Sequence, residues 1–220
     1  MSRIIYLMPG MGASPAIFKG LRFPDEYRPV YMEWLMPEAD EELAAYTLRL
    51  IRRYAIEENA LLLGMSFGGV IIHEIAKQIG AGKLIFVSTV KTHEEFPPWY
   101  AWGRRLRIWR WLPYKLITNP ARTARLFPKG KIRKRLMLWE QYMAIRDKQY
   151  FTWAMQSILN WQSPMPRWPY LHIHGSRDHI FPMRYLKGEI FPIPGAGHLA
   201  VMTHPKKVSK LIAAHLTENA

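Results

Sequence analysis

The chain has 220 residues, enough for one domain with an insertion and a real core. Hydrophobic residues make up 49% and charged residues 22%, as in soluble globular proteins, and the absence of cysteine excludes disulfides, cysteine nucleophiles and thiolate metal sites. The net charge of +14 favours anionic partners such as phosphate polymers, acidic substrates or anionic membrane surfaces, without choosing among them.

The first apolar run, "RIIYLMPG" (3–10), reads as a strand stopped by Pro-Gly. Its apolar stretch, Ile4 to Met8, is too short for a secretory signal, and no run in the chain approaches a membrane span. The expectation is a cytoplasmic protein. "PGMGASPAIF" (9–18) is a glycine-rich loop entering a short helix. "RPVYMEW" (28–34) reads as a second strand, and "DEELAAYTLRLIRRYAIEE" (40–58) as a helix with acids in its first turns, where the helix dipole favours them. "ALLLG" (60–64), the helix "SFGGVIIHEIAKQIG" (66–80) and "KLIFVST" (83–89) follow. Late in the chain come "YLHIHGS" (170–176), "GEIFPIPG" (188–195) and a closing helix, "HPKKVSKLIAAHLTE" (204–218). Strands alternating with helices predict a mostly parallel sheet of about six strands, covered on both faces.

Residues 91–168 break this rhythm. They show no clear strand and hold eight of the nine tryptophans. They carry 16 Lys/Arg against 4 Asp/Glu, so +12 of the +14 lies there. Segments such as "WEQYMAIRDKQYFTWAMQSILNW" (139–161) read as helices. The expected organisation is a core of residues 1–90 and 169–220, with 91–168 inserted as a helical, basic, Trp-rich cap. "WYAWGRRLRIWRWLPYKLI" (99–117) interleaves aromatics with arginines, as membrane-surface elements do. Packed tryptophans beneath solvated arginines would give the same pattern. An anionic membrane surface is therefore a candidate partner, with association at the inner membrane face. No nucleic-acid-binding motif accompanies the basic residues, so nucleic acid is not expected as a partner.

Gly64-Met65-Ser66-Phe67-Gly68 places G-x-S-x-G between a predicted strand and a predicted helix, the context that motif requires. Either Ser66 is a polar turn residue, or it is a nucleophile. A nucleophilic serine needs a base, a group orienting the base, and donors for an oxyanion. His198, in "PGAGHLAVMTHP" (194–205), follows the last predicted strand and is the candidate base. His73 lies seven residues along the helix after Ser66, about 10 Å away, and cannot serve. His93, His204 and His215 read as solvated or structural. His172 and His174 share one strand face, where a metal pair is conceivable with Asp178 or His179. Asp40 reads as a helix start, Asp25 sits in a loop near the first helix and Asp147 falls inside the expected cap, whereas Asp178 sits just past a strand in "HGSRDHIFP". Asp178 is the candidate orienting acid. The N–H of Phe67 at the helix start and one from Gly10, Met11 or Gly12 are candidate oxyanion donors. The pieces come in the order oxyanion loop, Ser, Asp, His.

On these motifs the chain resembles the α/β-hydrolase superfamily over residues 3–90 and 169–218. "GMSFGG" resembles its nucleophile elbow, "HGSRDHIFP" its acid loop and "GAGHLA" its histidine loop. The resemblance implies an α/β-hydrolase fold and a catalytic Ser66, Asp178 and His198, with Met11 and Phe67 at the oxyanion positions. It implies neither cofactor nor metal, and a small-molecule ester or thioester as substrate. The whole chain is also similar to small Bacteroidetes-type members of unassigned substrate, whose cap resembles "RDKQYFTWAMQSILNWQ" (146–162). Many relatives have histidine where Pro9 stands, and the first two strands of larger members are missing. Serine at position 66 departs from epoxide hydrolases and haloalkane dehalogenases, which use aspartate.

Overall fold

A computed structural model describes residues 3–127 and 129–217, without the side chain at 131. Residues 1, 2, 128 and 218–220, which the expected domain ranges include, lie outside the described residues. The strands are β1 (Arg3–Met8), β2 (Tyr27–Tyr31), β3 (Leu61–Met65), β4 (Lys83–Val87), β5 (Tyr170–Gly175) and β6 (Phe191–Ile193). They form one sheet in the order β2-β1-β3-β4-β5-β6. Every pairing is parallel. This is the parallel sheet expected from the alternation, and it agrees with the α/β-hydrolase fold that the resemblance implies.

The core lies on both faces, as a parallel sheet requires. Alternate residues of β1 split between the layers: Ile5 and Leu7 pack towards the closing helix, Tyr6 and Met8 towards the helix after β3. Pro29 and Pro192 fall on the two edge strands, where a missing N–H disturbs only one ladder. β6 is shorter than its apolar run because Gly188 and Gly195 turn the backbone at φ +70° and +78°. β2 also ends early, and Trp34 leaves the sheet. The first long helix, α1 (Leu43–Tyr54), starts later than expected. Asp40 turns the chain at φ +51°, and Glu41 accepts the Glu38 N–H instead of entering the helix.

α2 (Phe67–Ile79) follows β3 directly. Between β4 and β5 run α3 (Pro98–Arg105), α4 (Tyr114–Ile117), α5 (Pro120–Ala124), α6 (Lys131–Tyr142) and α7 (Lys148–Asn160). Trp109, Tyr114, Tyr150, Trp153 and Trp161 of this insertion share one core with α1 and α2. α8 (Ala200–Thr203) and α9 (Pro205–Thr217) close the described chain.

β1 leads to β2 on one side, while β3 lies on the other. The crevice beyond the carboxyl ends of β1 and β3 is therefore a topological switch point, where open α/β sheets bind ligands.

His73 sits inside α2, 1% exposed, with ring contacts to Phe86, Trp161 and Trp168. Burial pulls its pKa down to about 4. The unfolded chain binds this proton near pH 6.5, so stability is intact above that pH and falls as pH drops towards 4. Unfolding free energy is expected to drop by about 2 kcal/mol between pH 7.5 and 5 on this account. Urea unfolding of wild type and His73→Leu at both pH values checks it: the pH difference shrinks in the variant.

Candidate active site

Ser66 stands between β3 and α2 at φ 54° and ψ −124°. That backbone region is costly for a residue with a Cβ, and such strain clusters at functional sites. Close packing enforces it. A Cβ on Gly64 would stand 2.3 Å from the Gly68 oxygen, and one on Gly68 would stand 2.3 Å from the Met8 oxygen. Only glycines let β1, β3 and α2 approach this closely. The Thr89 hydroxyl donates to the Ser66 carbonyl at 2.6 Å and ties the turn to the loop after β4.

Ser66 holds the helix N-cap position, where a serine oxygen ordinarily accepts a backbone N–H one turn on. Here it makes no such bond. Its Oγ lies 2.8 Å from His198 Nε2 instead. His198 Nδ1 lies 2.8 Å from Asp178 Oδ2. The three residues come from 132 and 20 positions apart in sequence and meet at the carboxyl end of the sheet. His198 remains partly accessible, with its side chain 15% exposed, while Asp178 is buried. Burial pushes the Asp178 carboxyl up, but hydrogen bonds from His174 and His198 more than offset that and hold it well below the usual carboxylate range. Asp178 Oδ1 also accepts the N–H groups of Ile180 and Phe181, at 2.8 and 3.1 Å. The carboxylate is thus ionised and fixed.

The loop after β1 closes over this turn. A Cβ on Gly10 would stand 3.4 Å from Ser66 Cβ, so Met11 follows a residue in contact range of the serine. Trp34 Nε1 donates to the Gly10 carbonyl at 2.9 Å, and the Gly12 N–H donates to the Tyr150 hydroxyl at 2.9 Å. Phe67 opens α2, so its N–H is one that a helix leaves without an intrahelical partner. The sequence reading did not foresee Trp34, Tyr150 or Thr89. All three act across the fold, which no local pattern reveals.

Aromatic rings flank the serine. Trp34 stacks on Phe67 with centroids 5.3 Å apart, and Trp153 and Tyr150 from α7 pack against them. On the histidine side Phe181 lies 5.6 Å from the His198 ring and contacts Tyr100.

His172 and His174 do share a face, and they bond to each other at 3.3 Å rather than framing a metal cage. No group of three or more His, Asp or Glu suited to a metal occurs among the described residues. A cavity of about 470 Å³ lies at the opposite end of the sheet, lined by Arg3, Tyr27, Glu57 and Lys83 among others. It holds no hydroxyl–imidazole pair.

The chain belongs to the alpha/beta hydrolase family, whose model matches residues 3–211. Among solved structures it is similar to an esterase from Thermogutta terrifontis, at 20% identity and a TM-score of 0.67, over 99% of this chain and 90% of that one. An enol-lactonase from Burkholderia xenovorans LB400 matches at 15% identity and a TM-score of 0.67, over 99% and 92% of the two chains. A structure described among epoxide hydrolases from hot-environment metagenomes matches at 14% identity and 0.66, over 98% and 91%. A comparison with curated proteins finds no match. Such remote likenesses carry the fold. The chemistry has to come from the residues.

Proposed function

We propose that the protein is a serine hydrolase that cleaves a carboxylic ester, or next a thioester, with an apolar acyl group. The observation that carries this reading is the Ser66 hydroxyl, turned away from its helix and towards His198 at 2.8 Å. Ser66 Oγ attacks the substrate carbonyl carbon while its proton passes to His198 Nε2. The Phe67 and Met11 N–H groups take the oxyanion; one such donor is worth about 3 kcal/mol in the transition state. Asp178 holds the imidazolium through Nδ1–H. His198 then protonates the leaving oxygen or sulfur, and an acyl-enzyme remains. Water gives a proton to His198 Nε2 and attacks the acyl carbon; the proton returns to Ser66 as the acid leaves. Residues 91–168 are assigned as the cap, because α7 supplies both the Tyr150 bond to the Gly12 loop and rings beside Phe67.

p-Nitrophenyl esters of increasing acyl length test the substrate class. Hydrolysis is expected with short or aromatic acyl groups. A protein that turns over none of these esters or the matching thioesters would contradict the proposal.

A second activity of the cap is favoured by its surface. Trp111 is 83% exposed, Trp102 63% and Leu106 62%, beside the exposed Arg104, Arg105, Arg107 and Arg110. Packed tryptophans would not show this. We propose that this face meets an anionic lipid bilayer, rings in the interface and arginines on headgroups. Among the described residues no helix is long and apolar enough to cross a membrane. Vesicles containing phosphatidylglycerol should pellet the wild-type protein at low salt, and a Trp102→Ser/Trp111→Ser variant markedly less. Equal pelleting of both, or none of the wild type, would refute it.

A further inference from the structure

Behind Asp178 lies a second chain of buried polar groups that the proposed mechanism does not use. Lys91, Glu95, His172 and His174 are all 0% exposed. Lys91 Nζ lies 2.7 Å from Glu95 Oε1 and 2.7 Å from His172 Nδ1. His172 Nε2 lies 3.1 Å from the Thr89 carbonyl oxygen and 3.3 Å from His174 Nδ1. His174 Nε2 lies 2.8 Å from the Phe181 carbonyl oxygen and 3.2 Å from Asp178 Oδ2. Glu95 also accepts the N–H groups of Lys91 and Lys187, at 2.6 and 2.8 Å.

Donor and acceptor rules fix the protons along this chain. An ammonium only donates, so His172 Nδ1 must accept. A neutral imidazole then carries its proton on Nε2, where two acceptors wait. His174 Nδ1 becomes an acceptor in turn, and its proton sits on Nε2. That proton faces a carbonyl and a carboxylate, both acceptors. The ring N–H groups of His172 and His174 therefore both lie on the side of their rings towards Asp178. The opposite tautomer of His174 would set its Nε2 lone pair against two oxygens. His172 stays neutral, since burial, then the Lys91 charge, disfavours its protonated form. Glu95 balances the Lys91 charge, so the added groups bring no net charge to the site.

We propose that His174 is a positioning residue for Asp178, and that Lys91, Glu95 and His172 form a buried relay fixing the tautomer in which His174 donates to it. The kinetic consequence rests on the serine-hydrolase reading; the tautomers do not. Asp178 Oδ2 then faces two N–H groups, His198 Nδ1–H at 2.8 Å and, shared with the Phe181 carbonyl, His174 Nε2–H at 3.2 Å, which together fix where the carboxylate meets His198. Other titratable groups facing this region include the Tyr100 hydroxyl, kept neutral by burial and the Asp178 charge, Tyr170, whose ring centroid is 5.6 Å from Lys91 Nζ, Glu189, whose charge acts on Tyr170, and Lys187, whose backbone bonds Glu95.

The test uses the full chain with ¹⁵N-labelled histidine, and two-bond ¹H–¹⁵N correlations that report each ring's tautomer. Wild type at pH 7 should show Nε2–H for His172 and His174, and Nδ1–H for His198. His174 carrying its proton on Nδ1 would overturn the relay, and this needs no variant. Lys91→Met/Glu95→Gln removes the ion pair together, avoiding a lone buried charge. In that variant His172 and His174 should lose their single tautomers; unchanged tautomers in a folded sample would overturn the relay too. On the best ester, His174→Leu should lower kcat about tenfold, with KM little changed. His174→Gln, which keeps an N–H near the Nε2 position, should recover most of that kcat. Equal losses in the two variants would refute the positioning role. A wild type with these tautomers but no ester turnover would remove the hydrolase reading and leave the relay standing.

Discussion

Ser66→Ala is expected to lose at least about 10⁴-fold in kcat/KM on the best ester, with the fold unchanged. The residual rate would come from the oxyanion donors and substrate binding alone. Stability should hardly move, because the hydroxyl caps no helix and its one partner, His198, keeps its bond to Asp178. Ser66→Gly separates strain from chemistry. At φ 54° and ψ −124° a glycine is at ease where serine is not. That variant should be equally inactive yet more stable than wild type by about 1 kcal/mol. Active-site strain would then be measured directly. Urea unfolding beside initial rates gives both quantities, and retained hydrolysis in either variant would contradict the role of Ser66.

Gly68→Ala should have the largest effect on stability. The new methyl would lie 2.3 Å from the Met8 oxygen and 2.5 Å from the Pro9 oxygen. Both are backbone atoms of β1 and the loop after it, so no side chain can swing aside. Either α2 lifts away from β1 or the elbow opens. The expected cost is about 3 kcal/mol or more, a large share of a domain's total stability. Activity should fall with it, because the same movement carries Phe67 away from Ser66. Gly69→Ala is the informative contrast. Its methyl would meet the Thr89 side chain at 2.4 Å, which a rotation about χ1 relieves in part. It should cost less, and Gly69→Ala with Thr89→Ser less still. Urea midpoints of the three variants test the ranking; a Gly68→Ala protein as stable as wild type would refute the packing account.

Much of this was legible in the sequence because local signals agreed with the global arrangement. Short apolar runs marked all six strands, and glycine or proline closed those of β1, β3, β5 and β6. Ser66 was marked by its glycines, whose spacing answers a steric need at a strand–helix junction. Asp178 and His198 were marked by their places just past strands β5 and β6. What stayed hidden depends on contacts between distant residues. "HIHG" showed that two histidines share a face, but not that Lys91, 81 positions away from His172, would occupy the ring nitrogen a metal might have used. Lys91 and Glu95 fall at the start of the basic segment, where no local pattern marks them as buried, yet both are. Trp34 looked like the end of a strand; its indole N–H instead holds the Gly10 carbonyl. Alternation could not decide between packed and exposed tryptophans in residues 91–168. Trp109, Trp153 and Trp161 pack, while Trp102 and Trp111 face solvent.

The most direct measurement is covalent labelling of the pure protein with a fluorescent fluorophosphonate, mapped by peptide mass spectrometry. The account predicts one modified residue, Ser66, with labelling lost in His198→Ala and strongly slowed in Asp178→Asn. A folded protein that stays unlabelled, or that labels equally well without His198, would contradict an assembled nucleophile–base–acid site.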